Sequence, residues 1–291
     1  MSQKHPIIVV TGSSGAGTST VKNTFDHIFR REGVRAVSIE GDAFHKYNRA
    51  DMKAELVART AAGDQTFSHF TAEANELVEL ERVFRDYGDT GRGRTRHYVH
   101  DDAEAARYGV PPGHFTDWAP FEDGTDLLFY EGLHGCVKND QVDLPALADL
   151  KIGVVPVINL EWIQKIHRDK AQRGYSTEAV TDVILRRMHD YVHVITPQFT
   201  QTDINFQRVP VVDTSNPFIA RDVPTQDESM VVIRFKDPRG VDFPYLLRMI
   251  HDAFMSRANT IVIPGGKLDL AMQLILTPLI WKLMERRRQW V

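Results

Sequence analysis

Nine residues limit this chain more than any others: Gly12-Ser-Ser-Gly-Ala-Gly-Thr-Ser-Thr20, entered directly from the apolar run Ile7-Ile-Val-Val10. Gly12 and Gly17 keep the spacing of the phosphate-binding pattern G-x-x-x-x-G-K-[ST]. Ser19 stands at the hydroxyl position, and Thr18 replaces the lysine. A short buried strand, a glycine turn and a following helix point several backbone N–H groups at one place. The positive end of the helix dipole lies there too, so the arrangement suits a polyphosphate. Gly12, Ser13, Ser14, Gly15, Ala16, Gly17, Thr18, Ser19 and Thr20 are the expected cradle of the nucleotide, with Ser19 placed to ligate its magnesium. The bland alternative is an ordinary Gly/Ser/Thr connection. The apolar run before it and the helical pattern after it favour the cradle. A cradle without its lysine needs cations from elsewhere in the chain.

Strand and helix alternate from the start. Ser19 to Arg31 reads as a helix with Val21, Phe25, Ile28 and Phe29 on one face and Gly33 closing it. Ala36 to Ile39 reads as a second strand ending at Glu40-Gly-Asp42. This order predicts a parallel α/β sheet with ligands at the carboxyl ends of the strands, so Asp42 sits at the reactive rim. Helices are expected over Asp51–Ala61 and Glu73–Tyr87, and an extended basic ribbon over Arg94–His100. Asp126–Tyr130 is a buried strand ending in Glu131, where an acidic residue suits magnesium handling. Ile152–Ile158 reads as a strand whose Pro156 suggests a sheet edge or an irregularity.

Glu161–Arg173 and Thr177–Met188 read as helices around Gly174. Strands are expected at Val192–Ile195, Ile204–Val212, Met230–Phe235 and Thr260–Ile263, the middle ones as an antiparallel extension. Pro244–Phe254 and Lys267–Arg288 complete the expected helices.

Composition narrows the class. With 291 residues, 25% charged and a net charge of −4, the chain is no broad nucleic-acid binder. Met1 to Pro6 is polar and short, so no signal peptide is expected. Leu268–Met284 carries Asp269, Gln273, Pro278 and Lys282, too polar to cross a membrane. One cysteine, Cys136, excludes an internal disulfide and fits a reducing cytoplasm.

The polar residues group around transfer chemistry. Asp42 is the best candidate for a base at an acceptor hydroxyl, with a turn or cap role as its bland counterpart. His45, Arg49 and Lys53 recur every fourth residue and on a helix would form one basic stripe. Tyr98 and His100 add a second group, with Arg94 and Arg96 nearby. Both clusters suit an acceptor that already carries a phosphate, although solvated faces would look alike. Lys165, Arg168, Asp169 and Arg173 share a helix face that, closing as a lid, supplies the charge Thr18 lacks. Asp169 then assists the metal or serves as a second carboxylate.

The loop Gly12–Thr20, Glu40-Gly-Asp-Ala-Phe-His45, Ser68-His-Phe-Thr-Ala-Glu-Ala-Asn75, Thr95-Arg-His-Tyr-Val-His100, Tyr130-Glu-Gly-Leu-His134 and Arg168-Asp-Lys-Ala-Gln-Arg-Gly174 together resemble the phosphoribulokinases, in their proteobacterial form. The resemblance runs through most of the chain. It implies a P-loop kinase-like, three-layer α/β fold with a mainly parallel central sheet, an antiparallel extension and a helical lid. It also implies one domain over residues 1–291, with the lid at about 161–190 and a C-terminal extension from about 200.

The implied reaction is ATP-dependent phosphorylation of ribulose 5-phosphate at its 1-hydroxyl in the Calvin cycle, in a bacterial cytoplasm. Asp42 would take the hydroxyl proton. His45, Arg49, Tyr98 and His100, beside Lys53, would hold the sugar phosphate. Lys165, Arg168, Asp169 and Arg173 would form the lid, and Ser19, Glu131 and Asp169 would handle magnesium.

Plant-type relatives have a loop lysine and a regulatory cysteine pair, which this chain lacks. That implies instead an octamer activated by NADH and inhibited by AMP. Arg186, Arg187, Arg234 and Arg257 are arginines able to hold an anion at a subunit interface. The competing readings are a uridine kinase-like nucleoside kinase and a P-loop regulator that binds nucleotide without turnover. The first needs an aromatic or amide-lined base pocket, which the basic stripe argues against. The second rests on Thr18 alone.

Overall fold

The computed structural model of the chain describes residues 4–13, 18–174 and 176–290, with the side chains of residues 18, 19, 172 and 173 outside that description. In chain order the elements are β1 (Ile7–Gly12), α1 (Thr18–Glu32), β2 (Ala36–Glu40), α2 (Arg49–Ala61), α3 (Leu77–Thr90), β3 (Arg94–Thr95), α4 (Asp102–Tyr108), β4 (Ala119–Pro120), β5 (Leu127–Gly132) and β6 (Leu150–Val155). They continue as α5 (Ile158–Arg173), α6 (Thr177–Asp190), α7 (Thr196–Gln198), β7 (Ile204–Pro210), β8 (Ser229–Phe235), α8 (Phe243–Met249), β9 (Phe254–Arg257), β10 (Thr260–Pro264) and α9 (Leu268–Arg288).

Eight strands form one sheet in the order β2-β5-β1-β6-β7-β8-β10-β9. From β2 to β7 all neighbours are parallel; β8, β10 and β9 add antiparallel pairs. The parallel part follows from strands that are apolar on both faces, which only a covered sheet can bury. Along β1, Ile8 and Val10 face one core layer with Phe25, Phe129 and Ile275, while Ile7 and Val9 face the other with Leu80, Phe84 and Tyr130. Each such side chain contributes about 1.5–3 kcal/mol when fully buried. Helices α1 and α9 cover the first face and α3 the second. α9 is tied to α1 through Thr24 Oγ1 to Asp269 (2.8 Å) and Trp281 Nε1 to Glu32 (2.7 Å). Among the described residues no helix is long and apolar enough to cross a membrane.

Several sequence expectations need correction. Val192–Ile195 is no strand but part of a π-helical turn, Tyr191–Ile195, that continues α6. Tyr191 and Ile195 of this turn are buried against Phe70. β6 is not an edge: it lies between β1 and β7, and Pro156 falls just past its last residue. α5 starts at Ile158, three residues before the expected Glu161. The expected 73–87 helix is a 3-10 turn, Ala72–Ala74, followed by α3. The Pro244–Phe254 helix stops at Met249, and Phe254 opens the edge strand β9. Only Arg94 and Thr95 of the basic ribbon pair as a strand, with β4. The 45–53 stripe is not helical throughout, because α2 begins at Arg49, capped by Asn48 (Asp51 N to Asn48 Oδ1, 2.9 Å).

Candidate active site

The parallel strands deliver their carboxyl ends to one rim. β2 and β5 meet there so closely that a Cβ on Gly41 would lie 2.7 Å from the Tyr130 hydroxyl and 2.8 Å from Gly132 Cα. Two facing glycines let the chain turn sharply after Glu40, and the 3-10 turn Gly41–Phe44 puts Asp42 on the rim. The Asp42 side chain is 43% exposed. Its Oδ1 lies 3.1 Å from His45 Nε2 and its Oδ2 3.6 Å from His100 Nε2.

The hydrogen-bond pattern settles the charge of His45. Asn75 Nδ2 donates to the His69 and Thr71 carbonyls (3.1 and 2.8 Å), so Asn75 Oδ1 is left as an acceptor toward His45 Nδ1 at 2.8 Å. With a carboxylate at Nε2 and an amide oxygen at Nδ1, both ring nitrogens must donate, and only the imidazolium has two N–H groups. Burial works against that charge. The Asp42 hydrogen bond and charge outweigh it and raise the His45 pKa. Burial likewise pushes Asp42 upward, but the hydrogen bond and charge of His45, with His100, hold its carboxyl well below the usual range. His69, its ring tilted 39° to that of His45 with centroids 4.6 Å apart, is pushed down to about 3 by burial and the nearby cation, and so stays neutral.

Arg96 fixes this turn from below. Its guanidinium donates to the Ala43 carbonyl (2.8 Å) and the His45 carbonyl (2.7 Å), and lies over the Phe115 and Trp118 rings at 3.8 and 4.7 Å. Arg49 donates to the His100 carbonyl (2.9 Å), and its backbone N–H reaches the Gly113 carbonyl (2.8 Å). Tyr98 lies edge-on to His100 at 5.0 Å and to His45 at 6.2 Å. His45, Arg49, Tyr98 and His100 are thus gathered around Asp42. Lys53 lies one turn along α2 from Arg49 and is exposed.

On the nucleotide side, Gly12 ends β1 and Ser13 is buried. Residues 14–17 and the Thr18 and Ser19 side chains lie outside the described residues. α1 begins at Thr18, so the expected strand–loop–helix order is present around them. Glu131 pairs in register with Val10 of β1 and Glu40 of β2. A cleft lined by Thr20, Val154, Leu160, Phe206, Arg208 and Leu268 opens beside the first turn of α1.

The helix expected to close over this side carries its charges inward. Lys165 Nζ lies 2.5 Å from Asp169 Oδ2 and Arg168 Nε 3.2 Å from Oδ1, with Asp169 itself buried. Burial and the nearby Arg187 lower the Lys165 pKa to about 8, against the pull of Asp169. The Arg173 side chain is outside the described residues. Glu161, one turn before Lys165, is buried, and burial raises its pKa against the pull of Ser13 and Arg187.

Of the four remaining arginines, Arg186 and Arg187 lie on α6, bonded to Thr60 Oγ1 (3.1 Å) and stacked over Phe70 (4.9 Å). Arg234 and Arg257 flank Thr260 from the two strands beside β10.

A metal carried by a nucleotide fits these residues. Among the described residues no three His, Cys, Asp or Glu side chains form a cage. Magnesium on a nucleotide takes phosphate oxygens and water and needs only one or two carboxylates, and Glu131 stands at the carboxyl end of β5.

Sequence reasoning missed Asn75, His69 and Glu161 as neighbours of the site, and the anchoring role of Arg96. Asn75 was visible only as the last letter of the 68–75 segment, and its bond to His45 spans 30 residues of sequence.

Comparison with known proteins follows this geometry. The model of the phosphoribulokinase / uridine kinase family matches residues 7–215. Phosphoribulokinase 1 of Cereibacter sphaeroides is 79% identical over 96% of this chain and 97% of its own length. The phosphoribulokinase of Nitrobacter vulgaris is 69% identical over 99% of this chain and 100% of its own. The solved phosphoribulokinase from Rhodobacter spheroides superposes with a TM-score of 0.92 at 73% identity, covering 99% of this chain and 100% of that one. The family match, the identity and the structural overlap over that length place the chain in the phosphoribulokinase / uridine kinase family.

Proposed function

We propose that this chain transfers the γ-phosphoryl group of ATP to the 1-hydroxyl of ribulose 5-phosphate, giving ribulose 1,5-bisphosphate and ADP in the Calvin cycle. The observation that carries this reading is the setting of Asp42, an exposed carboxylate clasped by an imidazolium and a second histidine, with Arg49 and Tyr98 alongside. A nucleoside acceptor would call for a neutral, amide-lined pocket. A sugar phosphate calls for cations around a hydroxyl-orienting carboxylate.

Asp42 accepts the hydroxyl proton as the bond to phosphorus forms. Its depressed pKa makes it a weak base, which suits a loose transition state in which orientation counts for more than base strength. Arg49, His100, Tyr98 and Lys53 hold the sugar phosphate. The loop from Gly12 to Thr20 cradles the nucleotide phosphates, and the cleft beside Thr20 takes the nucleoside. Magnesium, when bound, would supply positive charge to offset the phosphates. Ser19 and Glu131 are its proposed ligands, with Asp169 beside them once the lid closes.

Lys165, Arg168 and Arg173 on α5 bring the cations that Thr18 cannot supply, and closure of residues 161–190 excludes water. One domain, a bacterial cytoplasmic location, an octamer, activation by NADH and inhibition by AMP belong to the same reading.

The test is coupled ADP release with ribulose 5-phosphate or uridine as acceptor, with and without NADH and AMP. ADP should appear with the sugar phosphate alone, faster with NADH and slower with AMP. Phosphorylation of uridine and not of ribulose 5-phosphate would overturn the proposal. Light scattering reads the octamer.

A further inference from the structure

Lys22 lies one helical turn after Thr18, and helical side chains lean back toward the N-terminus, over the preceding turn. Its ammonium is ion-paired to Glu40 at the end of β2, and its side chain is 30% exposed. Strand alternation explains the meeting. Ala36, Ser38 and Glu40 share one face of β2, Leu127, Phe129 and Glu131 share the same face of β5, and that face packs on α1 through Phe25 and Phe29. Glu40 and Glu131 are register partners on neighbouring parallel strands, whose backbones run about 4.8 Å apart. Two carboxylates side by side beside a phosphate loop are the donor pair from which divalent-cation sites are made. Here a lysine stands with them. The attraction of Glu40, and of Glu131 and Asp26 farther off, outweighs burial and holds the ammonium charged.

We propose that Lys22 is a positioning residue that occupies Glu40 and halves the negative charge of the Glu40–Glu131 pair, so that the site holds a divalent cation only when a nucleotide brings it. With Lys22 the three groups sum to −1; without it they sum to −2, and Glu40 is released to join Glu131. This rests on the reading of the site as one for a magnesium nucleotide. Its test uses neither acceptor nor turnover, so a wrong acceptor would leave it standing.

The test is Mn2+ binding followed by electron paramagnetic resonance, on the full chain, first without nucleotide and then with a non-hydrolysable ATP analogue. Lys22→Met should bind Mn2+ alone at least tenfold more tightly than wild type. Lys22→Met combined with Glu40→Gln should return to wild-type weakness, because the second carboxylate is gone. Lys22→Arg should behave as wild type. Glu40→Gln alone, which leaves the lysine to Glu131, should weaken Mn2+ binding in the presence of the analogue severalfold. Thermal unfolding is measured on each variant. A merely structural ion pair predicts equal losses of Tm in both single variants and unchanged Mn2+ binding, and that result would overturn the proposal. If Lys22→Met does not fold, Glu40→Gln and Lys22→Arg decide alone: unchanged Mn2+ binding in the first, or altered binding in the second, also overturns it.

Discussion

The acceptor rim and the α5 helix each surround an aspartate with cations, but they reach that arrangement in opposite ways. At the rim, the partners of Asp42 come from distant stretches: His45 is held by Asn75, His100 follows the 94–97 segment, and Arg96 binds the carbonyls of residues 43 and 45. Asp42 remains 43% exposed, so its charge is turned outward. On α5 the partners are local. Lys165 and Arg168 meet Asp169 within one turn, and the carboxylate is only 3% exposed. The rim is set before any ligand arrives, whereas the α5 cations are spent on Asp169. Preorganised charge lowers a barrier without reorganisation; self-neutralised charge can act only after its partner is exchanged. On the proposed reading, the rim orients the acceptor and α5 gates the site.

The contrast is most exposed at Asp42. Asp42→Asn keeps the shape and an oxygen for His45 but removes the charge that takes the proton. Turnover should fall by about 10²–10⁴-fold, the usual worth of a positioned base. The urea midpoint should fall as well, because the carboxylate is what offsets burial of the His45 imidazolium. A turnover within about tenfold of wild type would shift the burden of orientation away from the rim.

Lys165→Met tests the other side. Loss of one cation that the proposed lid brings to the transferring group should cost up to about 10²–10³ in kcat, with Arg168 still covering Asp169. Near-normal turnover would remove α5 from the chemistry. The titration of Lys165 gives a smaller signature. Its pKa is lowered to about 8, so the ammonium is present below that pH and lost above it. The rate should therefore decline on the alkaline side, by up to about tenfold per pH unit if this single group is required. Lys165→Arg keeps its charge at high pH, so whatever rate it retains should lack that alkaline decline. A decline unchanged in Lys165→Arg would assign it to another group.

Much of this was legible from residue order. The glycine loop after a buried strand, the acidic residues at strand ends and the i, i+4 charges on α5 all depend on neighbours within a dozen residues, and pattern reading reaches that far. The rim was legible only as a set of candidates. His45 and Lys53 look like one helical stripe because they share its spacing, yet the 3-10 turn at Gly41–Phe44 and the cap at Asn48 delay the helix to Arg49. Asp42 and, after it, an asparagine 30 residues on make His45 cationic, and no periodicity announces the second. The 191–195 turn failed for a related reason. Its β-branched residues have strand propensity, but docking of Tyr191 and Ile195 against Phe70 overrides that weak preference. Arg96 stood among basic residues that all looked alike, and only its two carbonyl partners separate it from Arg94, which pairs with Glu79 on α3.

Arg96 gives an intermediate effect that stability can read. Arg96→Ala removes two hydrogen bonds from a half-buried guanidinium and the cover of two rings. A charged hydrogen bond contributes about 1.5–3 kcal/mol, so a loss of about 2–3 kcal/mol in urea unfolding is expected. KM for the acceptor should rise as the 43–45 turn loosens. Arg96→Lys should recover only part of this, because an ammonium cannot reproduce the fork to both carbonyls or the stacking. If Arg96→Ala raised KM with no loss of stability, the rim would be less rigid than its bonds indicate.

The smallest effect separates rim residues that are built in from those merely nearby. Lys53 is exposed on α2, with no ion pair among the described residues. Lys53→Ala should leave stability within about 0.5 kcal/mol. If Lys53 meets the acceptor phosphate, it does so as a solvated cation, worth about 0.2–1 kcal/mol. That predicts a rise in acceptor KM of at most about fivefold with kcat unchanged, and a difference from wild type that shrinks as salt screens the charge. A larger, salt-independent loss would mean that Lys53 is drawn into the pocket when the acceptor binds, so that the rim, like the lid, completes itself around its ligand.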